Sequence, residues 1–291
     1  MAVDRKEIHN LFSRVDRQLA KAAIKARPQD VHRLRTSIRR LEAVLEEAAP
    51  EPSRTQRKLR KHLSRLRRRA GRLRDMDVQI AALRGLKVSE QPGRKSQILT
   101  SLSDQRTRYE RKLLKTMDAV TLKDLRKRLR RVERELQLPE SFADPLALAS
   151  SNFAGLAQKN PTISEASLHQ FRIQGKRVRY IAELAGESEE AQSFVGHLKH
   201  MQDVLGEWHD WLSLSLSVER IADSDRPSSL LSALNNITRA KFREAIQAVN
   251  TTKRALLPQN AVDAKQRVTV TSAAFPRKAV SSHGLATAAV A

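Results

Sequence analysis

Two segments of the chain repeat a row of basic residues at helical spacing. Residues 32–45 read HRLRTSIRRLEAVL and residues 169–182 read HQFRIQGKRVRYIA; both begin with His, place Arg fourth and carry a basic pair at the eighth and ninth positions. On a helix, which turns about 100° per residue, the basic residues form one stripe and the apolar residues another. Because Arg and Lys offer only hydrogen-bond donors and positive charge, such a row suits a multiply charged anion. Two rows predict one long anion or two short ones.

The spacing assigns candidate anion-binding residues to each row. They are His32, Arg35 and Arg39 in the first segment and His169, Arg172, Lys176 and Arg179 in the second. A third stripe, on a later helical segment with few acidic neighbours, consists of Lys61, Arg65, Arg68 and Arg72, of which the three arginines are candidate binding residues. This stripe is either a solvated face, which is the usual role of a charge run, or a further wall of the binding groove. The histidines titrate near neutral pH, so their charge would respond to neighbouring cations and to a bound anion.

The high positive charge of the chain indicates that its partner is a polyanion. The 291 residues carry a formal net charge of +23, which would concentrate polyanions such as nucleic acid, anionic membranes or inorganic phosphate polymers. Residues 1–140 hold 38 Lys and Arg against 18 Asp and Glu, so most of the attraction comes from the first half. The sequence has no cysteine, no signal-peptide pattern and no apolar run that could span a bilayer. We therefore expect a soluble, cytoplasmic protein.

The local sequence predicts helices almost throughout. Ala, Leu, Arg, Lys, Glu and Gln dominate, aromatic residues are only 4%, and the apolar residues recur at helical spacing. Proline and glycine stand where the helices would end. The candidate helices cover about residues 4–26, 30–48, 53–84, 94–118, 121–137, 142–159, 164–185, 189–222 and 228–250. After residue 250 the helical period fades, and we expect residues 251–291 to form a disordered tail.

A second pair of segments extends the repeat. Residues 63–78, LSRLRRRAGRLRDMDV, align with residues 198–213, LKHMQDVLGEWHDWLS, when Gly71 is placed over Gly206. The offset is 137 residues for the histidine segments and 135 for these two segments. Two segments in the same order at nearly one offset indicate a tandem duplication. The expected units are repeat 1, about residues 1–140, and repeat 2, about residues 141–250, each contributing about four helices to a bundle.

Two acidic residues and two tryptophans receive a structural interpretation. Asp75 and Asp77 point far apart on a helix and do not form a metal site together. We expect Asp75 and its counterpart Asp210 to pair with arginine or to cap a neighbouring helix. We expect Trp208 and Trp211 to be core or interface residues rather than platforms for base stacking.

The four repeated segments, in this order, make the chain resemble the CHAD family, the histidine α-helical domain, over roughly residues 4–250. The resemblance implies an all-α fold of two four-helix bundles related by a pseudo-two-fold axis, with a basic groove between them lined by the histidine helices. It also implies binding of inorganic polyphosphate, association with polyphosphate granules and no catalytic activity of the domain itself. Carried over to this sequence, the implied binding residues are His32, Arg35, Arg39, Arg40, His169, Arg172, Lys176, Arg177 and Lys199.

Other functions stay open at this point. The charge would equally suit a nucleic-acid-binding protein, although no reading module is recognisable and aromatic residues are few. An enzyme acting on polyphosphate is a second alternative, but the sequence shows no catalytic or cofactor motif and no carboxylate cluster for metal ions. A third is a granule-surface scaffold that recruits a protein through the tail. We predict a noncatalytic polyphosphate-binding protein with no cofactor and no metal, to which nucleic acid would bind only non-specifically.

Overall fold

The computed structural model describes residues 5–88, 92–221 and 229–257, and all regular structure in these ranges is helical. This confirms the all-α fold class. Two short 3-10 segments, Glu140–Ala143 and Glu183–Ala185, precede the sixth helix and follow the seventh. The nine helices of the described ranges are α1 (Arg5–Ile24), α2 (Pro28–Ala48), α3 (Arg54–Gly85), α4 (Pro92–Leu114), α5 (Ala119–Glu135), α6 (Pro145–Lys159), α7 (Glu165–Ala182), α8 (Glu189–Ile221) and α9 (Ser229–Leu256).

The helices agree with the sequence prediction apart from two differences. The helix α9 continues through Leu256 with Thr252 and Lys253 buried on it, so the tail boundary predicted at residue 250 was too early. The predicted disordered tail lies, from residue 258 onwards, outside the described residues. Within the described ranges, the chain before residue 140 forms the five predicted helices, α1–α5, so repeat 1 holds one helix more than the about four expected of each unit. The pseudo-two-fold relation of the two repeats stays a prediction.

Local capping sequences determine where the central helices begin. At the start of α3, the Ser53 hydroxyl accepts a hydrogen bond from the Gln56 N–H at 3.2 Å, and the Gln56 side chain accepts one from the Ser53 N–H at 2.7 Å. Ser164 and Ser167 form the same reciprocal pair at the start of α7. Each cap satisfies N–H groups that the helix itself cannot pair, which contributes about 1 kcal/mol. The starting points of α3 and α7 are therefore encoded locally.

Apolar stripes on α2 and α7 lie at the centre of the core. Leu34, Ile38 and Leu41 of α2 and Phe171 and Val178 of α7 are all buried, as their spacing predicts. The helix α2 contacts α7, and α3 contacts α8, so these four helices join the earlier half of the chain to the later half. A large cluster of buried side chains extends through both halves. This packing brings the basic stripes of α2 and α7 together.

A glycine lets α7 approach α8 closely. The Gln202 side chain of α8 donates a hydrogen bond to the carbonyl oxygen of Gly175 at 2.7 Å, and both residues are buried. A Cβ atom at Gly175 would lie 2.9 Å from the Met201 terminal methyl carbon. In isolation a mid-helix glycine costs about 1 kcal/mol relative to alanine. Here it removes the atoms that would otherwise separate the two helices.

We expect Gly175→Leu to destabilise the protein by about 1–3 kcal/mol, because the added atoms must displace Met201 or push α7 away from α8. The matched control is Gly196→Leu on α8, where a Cβ would meet no atom within 4 Å. Replacing that exposed helical glycine should stabilise by about 0.5–1 kcal/mol. Urea denaturation measures both changes. Equal stability of the two variants would contradict the close approach at Gly175.

Candidate functional site

Four basic side chains of α2 and α7 lie together where the two helices meet. They are Arg35 and Arg39 from α2 and Arg172 and Lys176 from α7, and we call them the central cluster. Burial and the neighbouring positive charges of the cluster lower the pKa of Arg39, Arg172 and Lys176 together. The two stripes predicted from the sequence therefore supply opposite sides of one cationic site.

The central cluster lacks an ion-pair partner of its own. No carboxylate of the described residues lies within 4.0 Å of a cationic nitrogen of Arg35, Arg39, Arg172 or Lys176. The Arg172 Nε–H is buried and donates to no acceptor in this part of the chain. Buried charges are normally paired, because their desolvation is costly. The cluster is therefore suited to an added anion.

The pKa values of the cluster show how strongly the site disfavours positive charge. Burial, followed by repulsion from Arg39, Arg172 and Arg35, lowers the pKa of Lys176 to about 7. Burial and the neighbouring Arg35 lower the pKa of Arg39 to about 10. A lysine with such a pKa is only partly charged at neutral pH, and a bound anion would favour its charged form. Of the cluster residues, Lys176 is the one whose charge responds to pH near neutrality.

The helix α3 contributes a wall that the sequence analysis did not assign. The Arg35 Nε lies 3.5 Å from the position that a Cβ would occupy at Gly71, so the glycine leaves room for the guanidinium group. Arg67, one turn before Gly71, lowers the pKa of Arg39, and Arg74, one turn after, lowers the pKa of His32. The signal that could have identified them is their i, i+4, i+7 spacing around Gly71. Arg67, Gly71 and Arg74 thus face the cluster from α3.

Two aspartates moderate the charge of the cluster from a distance. Asp75 of α3 and Asp210 of α8 both act electrostatically on Arg172, in the direction that raises its pKa. Neither forms an ion pair with Arg172 within 4.0 Å, so their effect is weaker than the burial and the repulsion from Arg35 that lower that pKa. Asp75 and Asp210 thus act on Arg172 at longer range, without the ion pair to arginine that was expected from the sequence.

A shared glutamate pairs with the outer members of the basic stripes. The Arg40 Nε lies 3.0 Å from one carboxylate oxygen of Glu183, and the Arg179 Nε lies 3.3 Å from the other. Both guanidinium groups also lie over the buried ring of Tyr180, at 5.5 and 5.1 Å from its centroid. Cation–π contact and the ion pairs hold Arg40 and Arg179 in place beside the central cluster.

Arg177 lies away from the central cluster. Its guanidinium group bridges Glu46 and Glu47 near the end of α2, at 3.0 and 2.7 Å. On the helix, Arg177 is one residue beyond Lys176 and therefore points about 100° away from it. Arg177 therefore connects α7 to α2 through ion pairs. The structure does not bring it together with the other candidate binding residues.

The two histidines lie at the margin of the central cluster. His32 is exposed, and its pKa is lowered by partial burial and by Arg74, Arg35 and Lys176. His169 is also exposed, with its ring centroid 6.2 Å from that of His209 on α8. Burial and Arg172 are the main causes that lower the pKa of His169. Both shifts favour the neutral imidazole in the free protein, which is the direction in which neighbouring cations act.

Four further candidate residues are exposed on the helix surfaces. Arg65, Arg68 and Arg72 of α3 form no ion pair with the described residues, and Lys199 of α8 is likewise exposed. The structure does not bring these four into the central cluster, and for the three arginines the reason is that α3 turns Arg67, Gly71 and Arg74 towards it instead. Trp208 is buried against Phe242 at 5.9 Å between ring centroids, as expected for a core residue.

The described residues hold neither a cluster of three or more His, Cys, Asp or Glu with the geometry of a metal site nor a helix long and apolar enough to cross a membrane. The chemistry that the central cluster offers is donation of hydrogen bonds and positive charge. Its groups lie close together before any anion arrives.

Comparison with known proteins agrees with this architecture. A sequence model of the CHAD domain matches residues 8–216. The crystal structure of the CHAD domain from the plant Ricinus communis is similar with a TM-score of 0.65 at 18% identity, covering 86% of this chain and 88% of that one. PptA from Streptomyces chartreusis is similar with a TM-score of 0.62 at 16% identity, covering 88% of this chain and 99% of that one. Both likenesses show the fold. No curated protein matches the chain.

We expect Lys176→Met to stabilise the free protein at acid pH. Below about pH 7 the buried lysine is charged and repels its neighbours, so its removal should gain about 1–4 kcal/mol. As the pH rises through this folded-state pKa, Lys176 loses its proton while an unfolded lysine keeps it up to about pH 10.4. Wild-type stability therefore recovers, and the advantage of the variant shrinks by about pH 9. Urea denaturation at about pH 6 and about pH 9 measures the difference.

The matched control for this prediction is Arg177→Met, one residue along the same helix. That substitution breaks the ion pairs with Glu46 and Glu47, so it should destabilise by up to about 1 kcal/mol at both pH values. If Lys176→Met is destabilised at acid pH to the same extent as Arg177→Met, the prediction is wrong and Lys176 is stabilised by favourable contacts.

Proposed function

The chain belongs to the CHAD family, and from this premise we propose that it binds inorganic polyphosphate through the central cluster without catalysing a reaction. The CHAD family is linked to polyphosphate binding and is generally a family of binding domains. The observation that carries the proposal is the concentration of Arg35, Arg39, Arg172 and Lys176 between α2 and α7 with no carboxylate of the described residues paired to them. A polyanion would supply the charge that the site lacks.

The shape of the site favours a bare phosphate chain over a nucleic acid duplex. The cluster residues are partly buried between two helices. A flexible chain of phosphates is thinner than a duplex, whose backbone is wound around a wide cylinder, so partly buried donors suit the bare chain better. Phosphate oxygens are acceptors only, and Arg and Lys are donors only. The exposed stripe Arg65, Arg68 and Arg72 can still attract nucleic acid non-specifically through charge.

A binding role rather than an enzymatic one agrees with the chemistry of the described residues. Hydrolysis of polyphosphate generally uses carboxylates that hold metal ions near the reacting phosphate. Among the acids around the central cluster, Asp75 and Asp210 act electrostatically on Arg172, Glu42 pairs with Arg67, and Glu183 pairs with Arg40 and Arg179. We propose a cytoplasmic protein that can associate with polyphosphate granules.

We expect loss of either half of the central cluster to weaken polyphosphate binding. The test variants are Arg35→Ala with Arg39→Ala, and Arg172→Ala with Lys176→Ala. Each lost charge-assisted contact should cost about 1–3 kcal/mol of binding free energy. The matched control, Arg108→Ala with Arg111→Ala, removes the same charge as the first pair from exposed residues of α4 that form no ion pair with the described residues. Fluorescence anisotropy with end-labelled long-chain polyphosphate measures the dissociation constants.

The control pair separates site-specific loss from loss of overall charge. If the cluster binds the chain, each cluster variant should lose at least about tenfold in affinity, which corresponds to about 1.4 kcal/mol, beyond the loss in the control. If cluster and control variants lose the same affinity, long-range charge accounts for binding and the proposed site is wrong. Thermal melting of each variant checks that it is folded.

We expect binding to take up protons near neutral pH, chiefly at Lys176. Its pKa of about 7 leaves it partly neutral in the free protein, and a bound polyanion would raise that pKa. Affinity should therefore rise as the pH falls from about 8 to about 6. Lys176→Arg keeps a positive charge throughout this range, so it should bind more tightly than wild type at about pH 8 and show a flatter pH profile.

A variant without the two histidines serves as a comparison with Lys176→Arg in the pH profile of binding. Because the pKa values of His32 and His169 are lowered, His32→Gln with His169→Gln should change the profile only at the acid end. Isothermal titration calorimetry in two buffers of different ionisation enthalpy counts the protons taken up. An unchanged proton count in Lys176→Arg would assign the uptake to other groups.

A further inference from the structure

A second cationic surface lies next to the central cluster, in the groove between α1 and α2. The groove encloses about 370 Å³. Its basic lining residues are Arg14, Arg17 and Lys21 of α1 and His32, Arg33 and Arg40 of α2. On α2, Arg33 and Arg40 occupy the face beside the one that carries Arg35 and Arg39, because successive residues are rotated by about 100°, and His32 lies at the edge between the two faces. We call this surface the α1–α2 groove.

The cations of α1 form one stripe along the groove. Arg14, Arg17 and Lys21 follow the i, i+3, i+7 spacing that places residues on one face of a helix. At about 1.5 Å per residue the stripe is about 10 Å long. All three side chains are exposed, and none forms an ion pair with a carboxylate of the described residues. The stripe can therefore donate to a ligand without first breaking a contact.

Acidic residues near the groove are engaged elsewhere. No carboxylate lines the groove in the part of the chain that the structure describes. Asp16, which lies between Arg14 and Arg17 in the sequence, accepts a hydrogen bond from Arg126 of α5 at 2.7 Å. Glu183 pairs with Arg40 from the side of α7. The groove is thus positive along its length, and its lining contains no Phe, Tyr or Trp on which a nucleobase could stack.

Two residues connect the groove to the central cluster. His32 lines the groove, and its pKa is lowered by Arg35 and Lys176 of the cluster and by Arg33 of the groove. Arg40 also lines the groove, while its guanidinium group contacts Tyr180 and Glu183 at the edge of α7. A chain that leaves the central cluster past His32 would therefore meet donors without a gap.

We propose that the α1–α2 groove is a second segment of the binding path and holds the continuation of the inorganic polyphosphate chain bound at the central cluster. The inference rests on the proposed function, since it concerns the same ligand. A phosphate chain too short to leave the central cluster gains nothing from the groove. A long chain crosses α2 beside His32 and places further phosphates against Arg14, Arg17 and Lys21.

The test compares a short and a long phosphate chain on two matched variants. The groove variant is Arg14→Ala, Arg17→Ala and Lys21→Ala. The control variant is Arg108→Ala, Arg111→Ala and Lys115→Ala, which removes the same residue types at the same spacing from exposed positions in the last turns of α4 and in the turn that follows it. The probes are tripolyphosphate and long-chain inorganic polyphosphate, measured by isothermal titration calorimetry. We expect the groove variant to bind the long chain at least about tenfold more weakly than the control variant does, and both to bind tripolyphosphate within about twofold of each other.

The outcomes distinguish failure of the groove from failure of the proposed function. If groove and control variants bind the long chain equally, or if the groove variant loses the same factor for tripolyphosphate, the groove does not continue the path and the inference is overturned. Arg172→Ala with Lys176→Ala serves as the reference, and it should weaken both probes. If that reference variant changes neither probe while the groove variant does, the central site is wrong and the proposed function fails with it.

Discussion

The structure depends on holding four like charges together without a counter-charge of their own. Arg35, Arg39, Arg172 and Lys176 repel one another, and their partial burial adds a desolvation cost. The opposing forces come from around them. The apolar stripes of α2 and α7 are buried beneath the cluster, and outer arginines such as Arg177 form ion pairs between the same two helices. Apolar packing and flanking ion pairs therefore hold α2 and α7 together against the repulsion among the four cations.

This constraint relates the stability of the fold to its function. An anion that enters the cluster reduces the repulsion among the cations and pairs with their charge. Binding therefore offsets the destabilisation that the cluster causes in the free fold. Tyr180 and Glu183 hold Arg40 and Arg179 beside the cluster before the ligand arrives, and Gly71 leaves room for the Arg35 guanidinium group. A preorganised site loses little side-chain entropy on binding. The same arrangement makes Lys176 sensitive to pH near neutrality.

Helical periodicity alone predicted the helices and the two basic stripes, because spacing along a helix determines which side chains share a face. It did not identify Arg67 and Arg74, whose role depends on which face of α3 turns towards α2. Arg177 belongs to the repeated basic pair in the sequence. Only the position of Glu46 and Glu47 in the structure shows that it forms ion pairs between α7 and α2. The low pKa of Lys176 and the close approach at Gly175 both result from packing between distant segments. Arg14, Arg17 and Lys21 resemble an ordinary solvated face until α2 is placed beside them.

The central claim is that the site selects a bare phosphate chain rather than negative charge in general. Competition binding tests it directly: end-labelled long-chain polyphosphate is displaced by unlabelled polyphosphate, duplex DNA, single-stranded RNA or ATP at equal total charge and about 150 mM salt. We expect unlabelled polyphosphate to displace the label at the lowest concentration and duplex DNA to be the weaker competitor. Displacement by duplex DNA at an equal or lower concentration would contradict the claim. It would indicate that the positive charge of this protein serves to bind nucleic acid.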